Sequence, residues 1–393
     1  MSTCRIGVIA ITVSVMAMPA AWASAQEIPA GRVAWMRLAA TPPMGWNSWN
    51  KFGCNVSETL IREMADAMVA SGMQDAGYRY VVIDDCWQVS RDASGNIVPD
   101  PQRFPSGMKA LADYVHSKGL KFGLYSDAGA KTCQGRPGSN GYEVEDALQY
   151  AAWGVDYLKY DWCSTDGVDP KIAYPTMRDA LKATGRPVVF SICEWGRSQP
   201  WTWARGVGHL WRTTGDIADN WRSFTRLLDL QVGLEKYAGP GGWNDPDMLE
   251  VGNGGMTAGE YRAHFGLWCL LAAPLMAGND LRRMTPEIRD ILTNREVIAV
   301  DQDPLGIQGR KIRDDGDFEV WGKRLAGGAH AVVLFNRSGK EQKMAVSWQE
   351  IGLPYDAEPA VRDLWAGKDL GRVRGTFSAV VPSHEIVMIR VTP

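Results

Sequence analysis

The sequence has no CxxC pair, no histidine within a few residues of a cysteine, no run of lysines and arginines, no internal repeat and no low-complexity tract. The first two absences argue against a zinc centre, which needs closely spaced thiolate or imidazole donors. Its five histidines (His116, His209, His264, His330 and His384) show no metal-ligand spacing either. With 42 Lys+Arg against 45 Asp+Glu, a formal charge of −3, the chain offers no electrostatic footprint for nucleic acid. Past the N-terminus no apolar run is long enough to span a bilayer.

What is present is an ordinary globular balance over 393 residues, 45% hydrophobic and 22% charged, enough for one large domain and a small one. Its 17 tryptophans fill core volume, and they also suit a sugar-stacking cleft, because an indole face packs well on the C–H face of a pyranose. Residues 1–25 read as an export signal: Arg5, an apolar run from Ile6 to about Ala21, then Ala23-Ser24-Ala25 as a small-x-small cleavage site before Gln26. The expected product is exported, periplasmic or secreted, in a compartment that permits disulfides; a retained anchor is the alternative. Cys4 lies in the signal. The six other cysteines, Cys54, Cys86, Cys133, Cys163, Cys193 and Cys269, allow fifteen connectivities.

Between about Arg37 and Asp303 short apolar runs alternate with amphipathic segments. The expected strands are Met44–Trp49, Tyr80–Asp84, Lys121–Ser126, Tyr157–Asp161, Val188–Cys193, His209–Arg212, Gly241–Asp245 and Ala272–Gly278. The expected helices include Glu58–Ser71, Met108–Lys118, Glu143–Trp153, Ala173–Ala183 and Trp221–Val232. Thr257 and Glu260 form a capping box, and Thr285-Pro286 supplies an N-cap and a first helical position. Eight strands alternating with helices predict an α/β fold, a (β/α)8 TIM barrel, over residues 26–306. Residues 307–393 lose helical periodicity and show alternating stretches such as Phe318–Lys323, His330–Phe335, Lys343–Trp348, Ala360–Leu364 and Glu385–Val391. They predict a small C-terminal antiparallel β-sandwich.

In such a barrel the active site forms at the C-terminal strand ends, where this sequence is dense in polar groups. Lys159 and Asp161 are two residues apart on one strand, so both face inward, and a cation beside the carboxylate keeps Asp161 ionised as a nucleophile requires. An ion pair plugging the barrel mouth, or a Schiff base on Lys159, are the alternatives. Asp216 is the candidate second carboxylate, less confined in a Thr-Thr-Gly segment and free to take up and release a proton. The competing role of helix N-cap suits Asp219 better. Asp84-Asp85 could chelate sugar hydroxyls or hold a divalent cation.

Six ordered motifs, Met44-Gly45-Trp46-Asn47-Ser48-Trp49-Asn50, Asp84-Asp85-Cys86-Trp87, Gly123-Leu124-Tyr125-Ser126-Asp127, Leu158-Lys159-Tyr160-Asp161, Cys193-Glu194-Trp195-Gly196 and Trp243-Asn244-Asp245-Pro246-Asp247-Met248, resemble the melibiase-type α-galactosidases of glycoside hydrolase family 27. The resemblance implies a retaining exo-glycosidase that removes terminal α-D-galactosyl residues by double displacement, without metal or other cofactor, from a carbohydrate α-galactoside. Asp161 would be the nucleophile and Asp216 the acid/base. Asp84 and Asp85 would bind the 4- and 6-hydroxyls, Lys159 the 3- and 4-hydroxyls and Arg212 the 2- and 3-hydroxyls. Trp49 would lie on the apolar sugar face, Tyr125 on the wall, and Asp247 and Met248 on the far side. Glu194, Trp195 and Cys133 would bound the 2-position, crowding out an acetamido group and so favouring galactose over N-acetylgalactosamine. The short Asp85 leaves room for the 6-carbon that a β-L-arabinopyranoside lacks. The resemblance also implies disulfides Cys54–Cys86 and Cys133–Cys163, with Gly208 where a partner of Cys193 would stand, leaving Cys193 and Cys269 free and buried. A reading from another class is a metal-dependent barrel lyase or isomerase using Asp84, Asp85 and Asp247, with Lys159 as base.

Overall fold

The computed structural model describes Met1 and residues 35–393; the export signal expected over 1–25 lies outside the described residues. Eight parallel strands are β1 (Met44–Asn47), β2 (Tyr80–Ile83), β3 (Lys121–Asp127), β4 (Tyr157–Asp161), β5 (Val189–Ile192), β6 (Leu210–Arg212), β7 (Trp243–Asp245) and β8 (Leu275–Ala277). They are ordered β8-β1-β2-β3-β4-β5-β6-β7. A single parallel bridge, Leu249 to Ala277, closes the remaining seam, with Leu249 N donating to Met276 O at 2.8 Å.

Period-two alternation sorts each strand between two cores. Tyr80, Val82, Tyr157, Val189, Leu210 and Trp243 fill the barrel interior, while Val81, Ile83, Leu158, Tyr160, Phe190 and Trp211 pack outward under the helices. The inward series runs on to Asp84, Lys159, Asp161, Arg212 and Asp245, so the parity that builds the core also aims the polar groups into the mouth. At Gly45 any side chain would fail, because a Cβ there would lie 2.5 Å from Tyr80 O.

The helices begin where the sequence signals them. Ser57 caps Glu58–Ala70 by accepting from Leu60 N, the Thr257/Glu260 capping box opens Ala258–Leu271, and Thr285 caps Pro286–Leu292. Helix Ala258–Leu271 is buried on almost every side because it lies between the barrel and the C-terminal strands. There Phe265 and Trp268 join Trp321, Phe335, Ile386 and Met388 in one apolar cluster.

The C-terminal part is antiparallel. A six-stranded sheet, ordered 310–315, 318–324, 330–336, 385–392, 360–363 and 368–372, faces a two-stranded ladder of 342–347 with 376–381. Val320, Val332, Leu334, Val346, Trp348, Phe377 and Ile389 form the core between them. Three of these strands, Arg310–Asp315, Lys368–Arg372 and Thr376–Val381, were not among those expected, nor was the Gln88–Arg91/Ile97–Pro99 hairpin or helix Arg295–Asp301. Arg310–Asp315 and Lys368–Arg372 are sheet edges whose residues stay largely outside the core, so no apolar alternation marks them.

Candidate active site

The strand mouths enclose a cavity of about 500 Å³. Its wall includes Trp49, Asp84, Asp85, Tyr125, Cys133, Lys159, Asp161, Trp195, Arg212, Asp216, Asp247 and Met248. Of the residues singled out in the sequence, Glu194 stands apart: it is buried behind the wall, where its carboxylate accepts from Ser198 N at 2.7 Å. Four non-glycine residues just past strand ends hold left-handed backbone angles, Cys86 (φ 77°), Ser164 (φ 50°), Trp195 (φ 59°) and Asp247 (φ 88°). Conformations of this kind cost about 1–3 kcal/mol each and cluster where a chain is bent to present functional groups.

Asp84 is fully engaged. Its Oδ2 accepts from Lys159 Nζ at 2.8 Å and from Asn47 Nδ2 at 2.7 Å, and its Oδ1 accepts from Asp85 N at 2.9 Å. Asp85 accepts from Cys86 N at 2.6 Å and Gln134 N at 3.0 Å. Carboxylates already engaged by several N–H donors, one of them an ammonium, make a poor seat for a divalent cation, whereas their remaining lone pairs suit hydroxyl donors. A second acidic cluster, Asp127 with Cys133 and Cys163, offers no metal site because the two sulfurs are bonded to each other.

Lys159 pulls on Asp161 in the expected direction, but without a direct ion pair. Its ammonium pairs with Asp84 across the barrel and not with Asp161, so it acts on Asp161 only through its field. Asp161 instead accepts from Tyr125 Oη at 3.0 Å and Trp162 N at 2.9 Å. Burial pushes its pKa up to about 6, against the pull of Lys159. The carboxyl is therefore mostly ionised at neutral pH and protonated in acid. Asp127, buried nearby and facing the charge of Asp161, is pushed up to about 8.

Asp216 sits at the rim with its side chain 68% exposed, as its less confined setting suggested. Arg212 holds it, however: Nη2 donates to Asp216 Oδ1 at 2.9 Å while Nη1 pairs with Asp247 Oδ1 at 3.0 Å. Desolvation raises the Asp216 pKa, but the fields of Arg212 and Lys159 outweigh it and leave a net lowering. Asp219 is not the N-cap of the following helix. Asn220 takes that role by accepting from Ser223 N, and Asp219 accepts from Gly255 N at 2.5 Å and Tyr261 Oη at 2.9 Å.

The disulfides are Cys54–Cys86 and Cys133–Cys163, and Cys193 and Cys269 are free and buried, as the resemblance implied. Each bridge ties loops at neighbouring strand ends and is worth a few kcal/mol, about 2–4 typically. Sequence reasoning missed Asn50, Lys51, Ile217, Ala218, Glu250 and Asn253, which also line the cavity. They lie on loops or, for Asn50 and Lys51, on the single helical turn Trp49–Phe52, where no periodicity marks a facing direction.

A family model described as alpha galactosidase A matches residues 41–303, and one for the alpha galactosidase C-terminal beta sandwich domain matches 315–391. Alpha-galactosidase A of Cellvibrio japonicus is 54% identical over 378 residues, covering 91% of this chain and 93% of that protein. The chain belongs to the glycoside hydrolase family 27 α-galactosidases. Among solved members of the family, α-galactosidase I from Mortierella vinacea superposes with a TM-score of 0.89 at 40% identity, covering 90% of this chain and 97% of that one. The Saccharomyces cerevisiae α-galactosidase, in a structure with raffinose, gives 0.87 at 31% identity, covering 91% of this chain and 99% of that one.

Proposed function

We propose that this α-galactosidase hydrolyses terminal α-D-galactosides with retention, Asp161 attacking the anomeric carbon and Asp216 serving as acid, then base. In the first step Asp161 Oδ bonds to C1, the C1–O bond to the leaving group breaks, and Asp216 gives its proton to the departing oxygen. In the second, Asp216 takes a proton from water, the water oxygen bonds to C1, and the ester to Asp161 breaks. Two inversions give α-galactose, and retention calls for carboxyls about 5–5.5 Å apart.

The observation that carries this reading is one cavity lined by both carboxylates together with Asp84, Lys159 and Arg212. Asp84 and Asp85 would read the 4- and 6-hydroxyls and Lys159 the 3- and 4-hydroxyls by charge-assisted hydrogen bonds, which penalise an epimer by leaving buried polar groups unpaired. Arg212 would take the 2- and 3-hydroxyls, and Trp49 the apolar face. Trp195 and Cys133 on the wall favour a 2-hydroxyl over an acetamido group, and Asp85 leaves space for a 6-carbon. The substrate is a carbohydrate α-galactoside of the kind raffinose represents, and an exported enzyme suits the two disulfides. Among the described residues no helix is long and apolar enough to cross a membrane.

The test is Asp161→Ala with added azide. Turnover of an aryl α-galactoside falls to background and azide restores it as β-galactosyl azide; an azide product of α configuration would overturn the nucleophile assignment.

A further inference from the structure

The motif Met44-Gly45-Trp46-Asn47-Ser48-Trp49-Asn50 brings more than Trp49 to the site. Met44 and Trp46 pack outward under the helices, so the two-residue alternation of β1 turns Asn47 into the barrel, where it lies beside Lys159, Ser191 and Arg212 beneath the galactose pocket. Asn47 is 3% exposed and forms no part of the wall that a sugar would touch.

Its amide is engaged at both ends. Oδ1 accepts from Trp49 N at 2.8 Å, an Asx turn that opens the helical turn Trp49–Phe52, and Nδ2 donates to Asp84 Oδ2 at 2.7 Å. Flipping the amide would set donor against donor at one end and acceptor against acceptor at the other, so the side chain has one orientation. Ser48 adds a further tie: wholly buried, its Oγ accepts from Asp84 N at 3.0 Å while its own N donates to Val82 O at 3.2 Å. Asp84 Oδ2 also accepts from Lys159 Nζ at 2.8 Å, but an ammonium is a point charge on a flexible stem and sets no plane. A planar amide locked at its far end does.

We propose that Asn47, with Ser48 behind it, is a positioning residue that aims the Asp84 carboxylate at the galactose 4-hydroxyl and at the same time sets the turn carrying Trp49. One buried amide thereby keeps the group that reads the axial hydroxyl in register with the face on which the ring stacks. The inference rests on the assignment of Asp84 to the 4-hydroxyl.

The test divides kcat/KM for 4-nitrophenyl α-D-galactoside by kcat/KM for its 4-deoxy analogue, in the wild-type protein and in two variants. A general loss of fold lowers both terms alike and leaves this ratio where it was, whereas a misaimed Asp84 lowers it. Asn47→Asp keeps an oxygen to accept from Trp49 N and puts a like charge against Asp84 in place of a donor. A hydrogen bond to a charged group is worth about ten- to a hundredfold, so the ratio falls by about tenfold or more in Asn47→Asp while the 4-deoxy substrate keeps most of its kcat/KM. Asn47→Ala, which adds no charge, lowers the ratio too, and it also slows the 4-deoxy substrate because the Trp49 turn has lost its acceptor. A ratio equal to that of the wild type in both variants overturns the proposal. A wild-type protein that shows no preference for the galactoside over its 4-deoxy analogue would instead strike the assignment of Asp84, and the inference with it.

Discussion

Replacing Tyr125 with phenylalanine removes one atom, the hydroxyl that donates to Asp161 Oδ2 at 3.0 Å, and leaves the ring packed where it was. That hydrogen bond favours the ionised carboxylate, so its loss raises the Asp161 pKa from about 6. A hydrogen bond to a charged group is worth about 1.5–3 kcal/mol, and 1.36 kcal/mol corresponds to one pH unit, so the rise is about 1 to 2 units. The assay is kcat/KM against pH for 2,4-dinitrophenyl α-galactoside, whose good leaving group needs no proton from Asp216. Only ionisation of Asp161 then shapes the profile, and kcat/KM climbs as pH rises through the folded-state pKa. In the parent protein the midpoint lies near 6. In Tyr125→Phe it lies about 1 to 2 units higher, and at pH 6 the variant is slower by roughly 5- to 50-fold because so little of it is ionised. Above pH 9 the two converge. A midpoint that stays put or moves to lower pH would refute the claim that Tyr125 tunes this carboxylate.

Three further outcomes follow from the same geometry. Asp216→Ala slows melibiose far more than 2,4-dinitrophenyl α-galactoside, and an equal loss on both would remove its role as acid. On melibiose the parent enzyme gives a bell-shaped kcat/KM profile whose optimum is acidic. With Asp161 near 6 and Asp216 lowered, both carboxyls are ionised above about pH 6 and no acid is left, whereas in stronger acid both are protonated and no nucleophile is left; an optimum at pH 8 would contradict these assignments. Asp84→Asn leaves the Lys159 ammonium without its partner in a largely buried setting, at a cost of about 3–5 kcal/mol and a lowered Tm; an unchanged thermal midpoint would show the pair to be dispensable.

The parts of this molecule that were legible in the sequence are those set by period. Strand β4 spans Tyr157–Asp161 as expected, and its two-residue alternation correctly turned Lys159 and Asp161 inward, because the same alternation had to bury Tyr157 on one side and Leu158 and Tyr160 on the other. The caps at Thr257 and Thr285 were legible because capping is local chemistry. Pairings across the barrel were not. Asp84 is 75 residues from Lys159, and nothing local says that the ammonium pairs with it. Arg212 and Asp216 meet through a loop bend and not a helical turn, so their spacing carried no signal. Edge strands such as Lys368–Arg372 lack an apolar face, and Lys51 meets Glu250 and Asn253 only once the segments after β1 and β7 have folded together.

The central claim is that Asp161 and Asp216 together carry out a double displacement on a galactoside. A proton-NMR time course with an aryl α-D-galactopyranoside tests it most directly, by recording which anomer of galactose appears before mutarotation mixes them. The account predicts that α-galactose appears first. Initial release of β-galactose would keep the substrate and contradict the mechanism.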